Sequence, residues 1–190
     1  MVATNAVHSP WGIAFNESQR LAISTDRTFY ANQPNGGLKG LKVARSIALL
    51  SYRTYQAYAD TQVESVNDKT TGYRAASYQN YQGEKIKRRF NAFSYYYLTK
   101  MFDSHDISRG RGTLEETLAA ISQKTLVIGI SSDILFPPAE QAFIAQHIPS
   151  ATYIEIDSTY GHDGFLIEFE IMSRAIKKWL NETEGSYLIK

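Results

Sequence analysis

The sequence has 190 residues, 43% hydrophobic and 21% charged, with a net charge of +1 and no cysteine. This length and balance support one domain of ordinary size with a real core. They exclude disulfides, a cysteine-ligated metal and a thiol nucleophile, and the near-zero charge offers no electrostatic basis for binding nucleic acid or an anionic membrane. No apolar run approaches the roughly 20 residues of a membrane span. Residues 1–10 show neither the basic start nor the apolar core of a secretory signal, so a cytoplasmic location is expected. Most of the thirteen tyrosines fall between Tyr30 and Tyr97, which points to an amphipathic contact surface in the middle of the chain.

In chain order, residues 1–6 are weakly strand-like and read better as the end of a strand than as a whole one. His8-Ser9-Pro10 reads as a turn. Residues 14–23 have helical character, with Asn16 as a cap and Phe15, Leu21, Ala22 and Ile23 as apolar contacts. Pro34-Asn35-Gly36-Gly37 is a break. Residues 41–59 carry the clearest helical period, through Val43, Ala44, Ile47, Leu50 and Tyr58. Arg45 and Tyr52, seven residues apart, lie on one face of that helix. A cation and a phenol there are able to form a polar site; the plainer alternative is that both snorkel at a helix edge.

Residues 61–83 are polar and predict a loop or weakly ordered connector. Residues 84–102 predict a very aromatic helix on which Lys85, Lys87, Arg88 and Arg89 form a solvated face. Asp103-Ser104-His105-Asp106 ends it. His105 reads as a helix-end histidine in preference to a metal ligand, because sequence-adjacent groups rarely converge on one ion. Arg109-Gly110-Arg111-Gly112 is a loop. Residues 113–122 predict a short helix with Thr113 as cap and Glu115 and Glu116 placed to suit the macrodipole.

From Lys124 the pattern becomes β/α. The apolar run 125–130 predicts a strand buried on both faces. Residues 138–147 predict a helix with proline at its start, and 151–156 a second strand. Residues 165–180 predict a final amphipathic helix with Leu166, Ile167, Ile171, Ala175, Ile176 and Trp179 inward, and a peripheral tail follows residue 181.

The chemistry concentrates in this last part. Asp133 lies just past the carboxyl end of a buried strand, where open α/β sheets place their sites. His162 follows the next strand in a loop flanked by Gly161 and Gly164. An acid after one strand and a histidine after the next is the order of the last two members of a Ser…Asp…His triad. Asp133 would orient the imidazole and His162 would act as general base. Taken singly, Asp133 also reads as a turn cap and His162 as a surface histidine. No Gly-x-Ser-x-Gly occurs anywhere in the sequence. Ser131 and Ser132 lack an elbow's glycines, and Ser9 precedes a proline. With no nucleophile, and no oxyanion donors that accompany it, these 190 residues alone are not expected to run acyl transfer.

Several stretches resemble one family. Residues 3–11 with Ala14-Phe15-Asn16-Glu17-Ser18-Gln19-Arg20 are similar to the segment after the nucleophile region of homoserine O-acetyltransferases. Phe90-Asn91-Ala92-Phe93-Ser94-Tyr95 and residues 103–112 resemble that family's lid. Gly129-Ile130-Ser131-Ser132-Asp133 and Tyr160-Gly161-His162-Asp163-Gly164-Phe165 resemble its acid and histidine motifs.

The resemblance implies an α/β fold: a partial α/β-hydrolase fold, the C-terminal βαβα of the sheet, with a helical lid insertion. Residues 1–12 and 118–190 would form the core and residues 13–117 the lid, which would also make a homodimer contact. It implies acetyl transfer from acetyl-CoA, as co-substrate, to the hydroxyl of L-homoserine in methionine biosynthesis, through an acyl-serine and with no bound cofactor or metal. By position, Asp133 and His162 match the triad acid and base. Arg45 matches a substrate-carboxylate ligand, Tyr52 its neighbour in the pocket, and Asp163 the ligand of the substrate amino group. One fixed cation and one fixed anion suit a zwitterionic amino acid.

The family's first half, with its serine, has no counterpart in the sequence, so a truncated gene, a fragmentary gene prediction or a cut chain is expected, with exposed sheet edge and helix faces. The related alternatives are homoserine O-succinyltransferase, serine O-acetyltransferase, and a non-catalytic dimerisation module derived from the lid.

Overall fold

The computed structural model describes residues 1–31, 33–66 and 68–185, with side chains described through residue 182. The chain divides into two compact units, Val7–His105 and Met1–Ala6 with the described part of Asp106–Lys190.

The first unit is helical. Helix α1 (Pro10–Ser24) opens on Ser9, whose side chain accepts the Gly12 N–H, with proline at the first helical position. The expected turn at His8-Ser9-Pro10 is therefore a helix start. Asn16, expected as a cap, lies inside α1 and donates to Asp103 Oδ1 at 2.8 Å. Helices α2 (Leu38–Tyr52) and α3 (Tyr55–Thr61) replace the single helix expected over 41–59. Thr54 interrupts the run because its hydroxyl caps α3, accepting the Ala57 N–H at 3.0 Å.

Helix α4 (Arg74–Ile86) occupies much of the expected connector 61–83 and packs on α2. Inside it, a side chain at Gly83 would meet the Lys42 carbonyl oxygen at 2.8 Å. Glycine is present because the two helices approach closely. Helix α5 (Ala92–Asp103) begins at Asn91, whose side chain accepts the Ser94 N–H at 2.7 Å, so the helix expected over 84–102 is also two helices. Ile23, Phe29, Leu41, Ala44 and Ala92 form the core of this unit, with Phe29 stacked on Phe93 at 4.8 Å. The N-terminus of α2 is capped from a distance. Asp26 accepts the N–H groups of Lys39 (2.9 Å) and Gly40 (3.2 Å) on one oxygen, and the Thr28 hydroxyl and N–H on the other.

The second unit is α/β. Helix α6 (Leu114–Ala119) is capped by Thr113 in a reciprocal box with Glu116. Strand β1 (Thr125–Ile130), helix α7 (Pro138–His147) and strand β2 (Ala151–Ile156) then form a βαβ unit. The strands pair in parallel, from Thr125 opposite Ala151 to Ile130 opposite Ile156. On the other side of β1, Val2 bridges Ile128 in parallel, with Ala3 N–H donating to Ile128 O and Ile128 N–H to Met1 O. β1 is buried from Leu126 onward, as its unbroken apolar run requires.

Helix α8 (Gly164–Ile167) and helix α9 (Phe169–Gly185) close the described chain. One face of the sheet packs Ile128, Ile130 and Ile156 against Met172, Phe165, Ala175 and Trp179; the other packs Val127 against Leu118, Ile144 and Ile148. The helix expected over 165–180 breaks at Glu168, and four residues expected inward are not: Leu166, Ile167, Ile171 and Ile176 are exposed. The apolar stripe is wider than the small sheet it covers. The part of the tail beyond residue 185 lies outside the described residues. Among the described residues no helix is long and apolar enough to cross a membrane.

Candidate active site

β1 ends at Ile130 and the chain turns through Ser131, Ser132 and Asp133. Asp133 is buried, 3% exposed. Its Oδ1 accepts the N–H groups of Leu135 (2.8 Å) and Phe136 (2.9 Å), which fixes the carboxylate plane. Its Oδ2 lies 2.8 Å from His162 Nδ1. A carboxylate only accepts, so the shared hydrogen belongs on Nδ1 and the basic lone pair of the neutral ring on Nε2. Phe136 and Phe165 border the imidazole, at ring distances of 5.2 and 5.1 Å. The two residues picked out 29 positions apart are thus in contact, in the tautomer that a general base needs.

The loop that carries His162 is tied to the acid turn at several points. Gly161 has φ +67°, a left-handed conformation that favours glycine, and opens the one-turn 3-10 segment Gly161–Asp163. Its N–H donates to Ser132 Oγ at 2.9 Å. Ser131 Oγ accepts the Ser158 N–H at 3.0 Å and lies 3.1 Å from Asp157 Oδ1, to which it donates. Gly164 packs against Ile130 and Ser158 so closely that an added methyl would meet Ile130 Cγ2 at 2.8 Å. Sequence reasoning weighed both serines only as nucleophiles. Their place directly before the acid was the available signal for this other use.

A second carboxyl stands near the pair. Burial pushes Glu140, in the first turn of α7, above its ordinary pKa; the Asn5 side chain opposes this and the Asp133 charge adds to it. Glu140 Oε2 is buried without a hydrogen-bond partner among the described residues. The neighbouring Gln141 is fully buried and donates to the Thr4 carbonyl, which ties α7 to the segment beside β1. Neither residue carries a signal in the sequence beyond its place after the acid turn.

Arg45 and Tyr52 lie in the helical unit. The Arg45 guanidinium sits over the Tyr52 ring, 5.1 Å from its centroid. Tyr95 was not singled out from the sequence. Its hydroxyl donates to Gln19 Oε1 at 2.5 Å. Burial pushes its phenol well above the ordinary value, Tyr52 adds to the shift and Arg45 opposes it. Asp163 directly follows His162 in the 3-10 segment of the α/β unit. Among the described residues, His105 joins no cluster of three or more metal-ligating side chains.

No protein-family model matches the chain. It is 47% identical over 185 residues to a homoserine O-acetyltransferase of Cyclobacterium marinum, a match that covers 97% of this chain and 52% of the relative. A homoserine O-acetyltransferase of Staphylococcus aureus superposes with a TM-score of 0.76 at 28% identity, over 95% of this chain and 50% of that one. The enzyme of the same name from Bacillus anthracis superposes with a TM-score of 0.84 at 21% identity, over 95% and 52%, and speaks to the fold alone. The chain spans about half the length of the relatives it matches. It is a homologue of the homoserine O-acetyltransferases and carries part of an α/β-hydrolase fold.

Proposed function

We propose that the chain supplies the acid, the base and the amino-acid-binding groups of a homoserine O-acetyltransferase, and that the nucleophilic serine comes from outside these 190 residues. The Asp133–His162 contact at 2.8 Å, beyond the ends of consecutive parallel strands of a homologous chain, carries this reading. His162 Nε2 would take the proton of the serine as it attacks acetyl-CoA. The base would return that proton to the departing thiol, then activate the homoserine hydroxyl against the acetyl-serine. Asp133 holds the ring and stabilises the imidazolium that forms in each half-reaction. Arg45 and Tyr52 would hold the homoserine carboxylate, and Asp163 its ammonium group. The reading makes the chain part of methionine biosynthesis in the cytoplasm. The exposed Tyr97, Leu98, Met101 and Phe102 on α5 favour a contact with a second copy through the helical unit.

The test is thiol release from acetyl-CoA in the presence of L-homoserine. The chain is assayed alone and with a second polypeptide covering the part of the Cyclobacterium marinum relative that lies outside the match. Turnover is expected only from the pair, with L-homoserine preferred over L-serine and acetyl-CoA over succinyl-CoA. Robust turnover by the chain alone would overturn the claim that it lacks the nucleophile.

A further inference from the structure

We infer that Ser132 is a positioning residue that holds His162 in register with Asp133 by accepting the Gly161 N–H. The inference rests on the acid–base role proposed for that pair. Three successive residues of the acid turn reach the histidine loop. Ser131 takes the Ser158 N–H at 3.0 Å, Ser132 the Gly161 N–H at 2.9 Å, and Asp133 meets His162 Nδ1 at 2.8 Å. Of these, the Ser132 contact holds the amide of the residue directly before the base. It also fixes the residue whose φ of +67° sets the direction in which the chain enters His162.

A backbone held at Gly161 leaves the imidazole little freedom to swing about its own bond to Asp133. The rings of Phe136 and Phe165 limit its tilt but offer no directed bond. A hydroxyl is required at position 132 because a carbon atom there would leave a loop N–H unsatisfied at a half-buried site. Serine fits the role in another respect: its short side chain is stiff enough to transmit the position of the β1 end to the loop. The same turn therefore carries the acid and fixes the geometry of the base, and the two serines next to Asp133 serve the site without acting as nucleophiles.

The experiment is NMR on the isotopically labelled 190-residue chain in complex with the unlabelled polypeptide from the Cyclobacterium marinum relative. The wild type is expected to show a downfield, hydrogen-bonded Nδ1–H signal for His162 and slow exchange of the Gly161 amide. Ser132→Ala is expected to broaden or abolish the Nδ1–H signal and to speed Gly161 exchange at least about tenfold while the β1 and β2 amides stay protected. Ser132→Thr, which keeps the hydroxyl, restores both. An unchanged Nδ1–H signal in Ser132→Ala overturns the inference and leaves the acid–base reading standing. An unprotected Gly161 amide in the wild type overturns it without need of any variant. Absence of the Nδ1–H signal from the wild type overturns the acid–base reading itself.

Discussion

Asp133 uses both carboxylate oxygens, one on two backbone N–H groups and one on His162. Asparagine can satisfy the two N–H groups with its single oxygen, but its amide then donates toward Nδ1 and drives the ring hydrogen to Nε2. Asp133→Asn is expected to cost only about 1 kcal/mol of stability and to lower turnover of the reconstituted pair by on the order of 10⁴. Equal losses in an unfolding curve and in rate would show a structural role only. Glu140 gives a prediction with the opposite character. Its pKa is raised on folding, first by burial and then by Asp133. The folded state therefore holds the proton more tightly, and stability falls as pH rises from the ordinary glutamate value of 4.5 through the raised one. Glu140→Gln removes that loss. Its melting temperature should match the wild type at the acid end of the window and exceed it progressively as pH rises, and parallel curves would contradict the assignment.

At the scale of elements, the sequence pattern served where burial followed periodicity and failed where a polar cap or a close approach decided the outcome. The run 125–130 is the strand it resembles because both faces of β1 are covered, and 138–147 and 151–156 match α7 and β2 residue for residue. Thr54 and Asn91 sit within aromatic and apolar stretches whose period continues across them, so their caps were not legible. Gly83, the last residue of the connector expected over 61–83, lies inside α4 and marks its contact with α2.

The Asp133–His162 pair was legible because strand order alone brings successive β-strand ends together. The loop ties of Ser131 and Ser132 had only their place directly before the acid as a signal, because three-dimensional position alone brings Ser158 and Gly161 to them. Gly83→Ala should gain about 1 kcal/mol in helix propensity and still lose about 1–3 kcal/mol net through the forced shift against Lys42, as read by urea unfolding. A stabilised variant would show that the helices can part without cost. Asp26 gives a second test. Burial pushes its pKa up, but hydrogen bonds from Thr28, Gly40 and Lys39 outweigh this and hold the carboxylate low. Asp26→Ala strips the distant cap from α2 and should cost about 1–2 kcal/mol.

At the scale of the whole chain, a βαβ unit with one bridged segment beside β1 has little sheet to bury its helices against. Leu166 and Phe169 are each 64% exposed, with Ile171, Ile176 and Leu180 also open along α9. The 190-residue chain should bind an apolar dye and self-associate, and both should fall when the polypeptide from the Cyclobacterium marinum relative is added. A monodisperse chain without dye binding would contradict this. Intact mass spectrometry reads directly whether a base in this chain serves a serine from elsewhere. The reconstituted pair is mixed with acetyl-CoA and no acceptor. An acetyl group should form on the added polypeptide, never on the 190-residue chain, and its formation should be lost with His162→Ala. Acetylation at an undiminished rate with His162→Ala, or acetylation of the 190-residue chain itself, would contradict that arrangement.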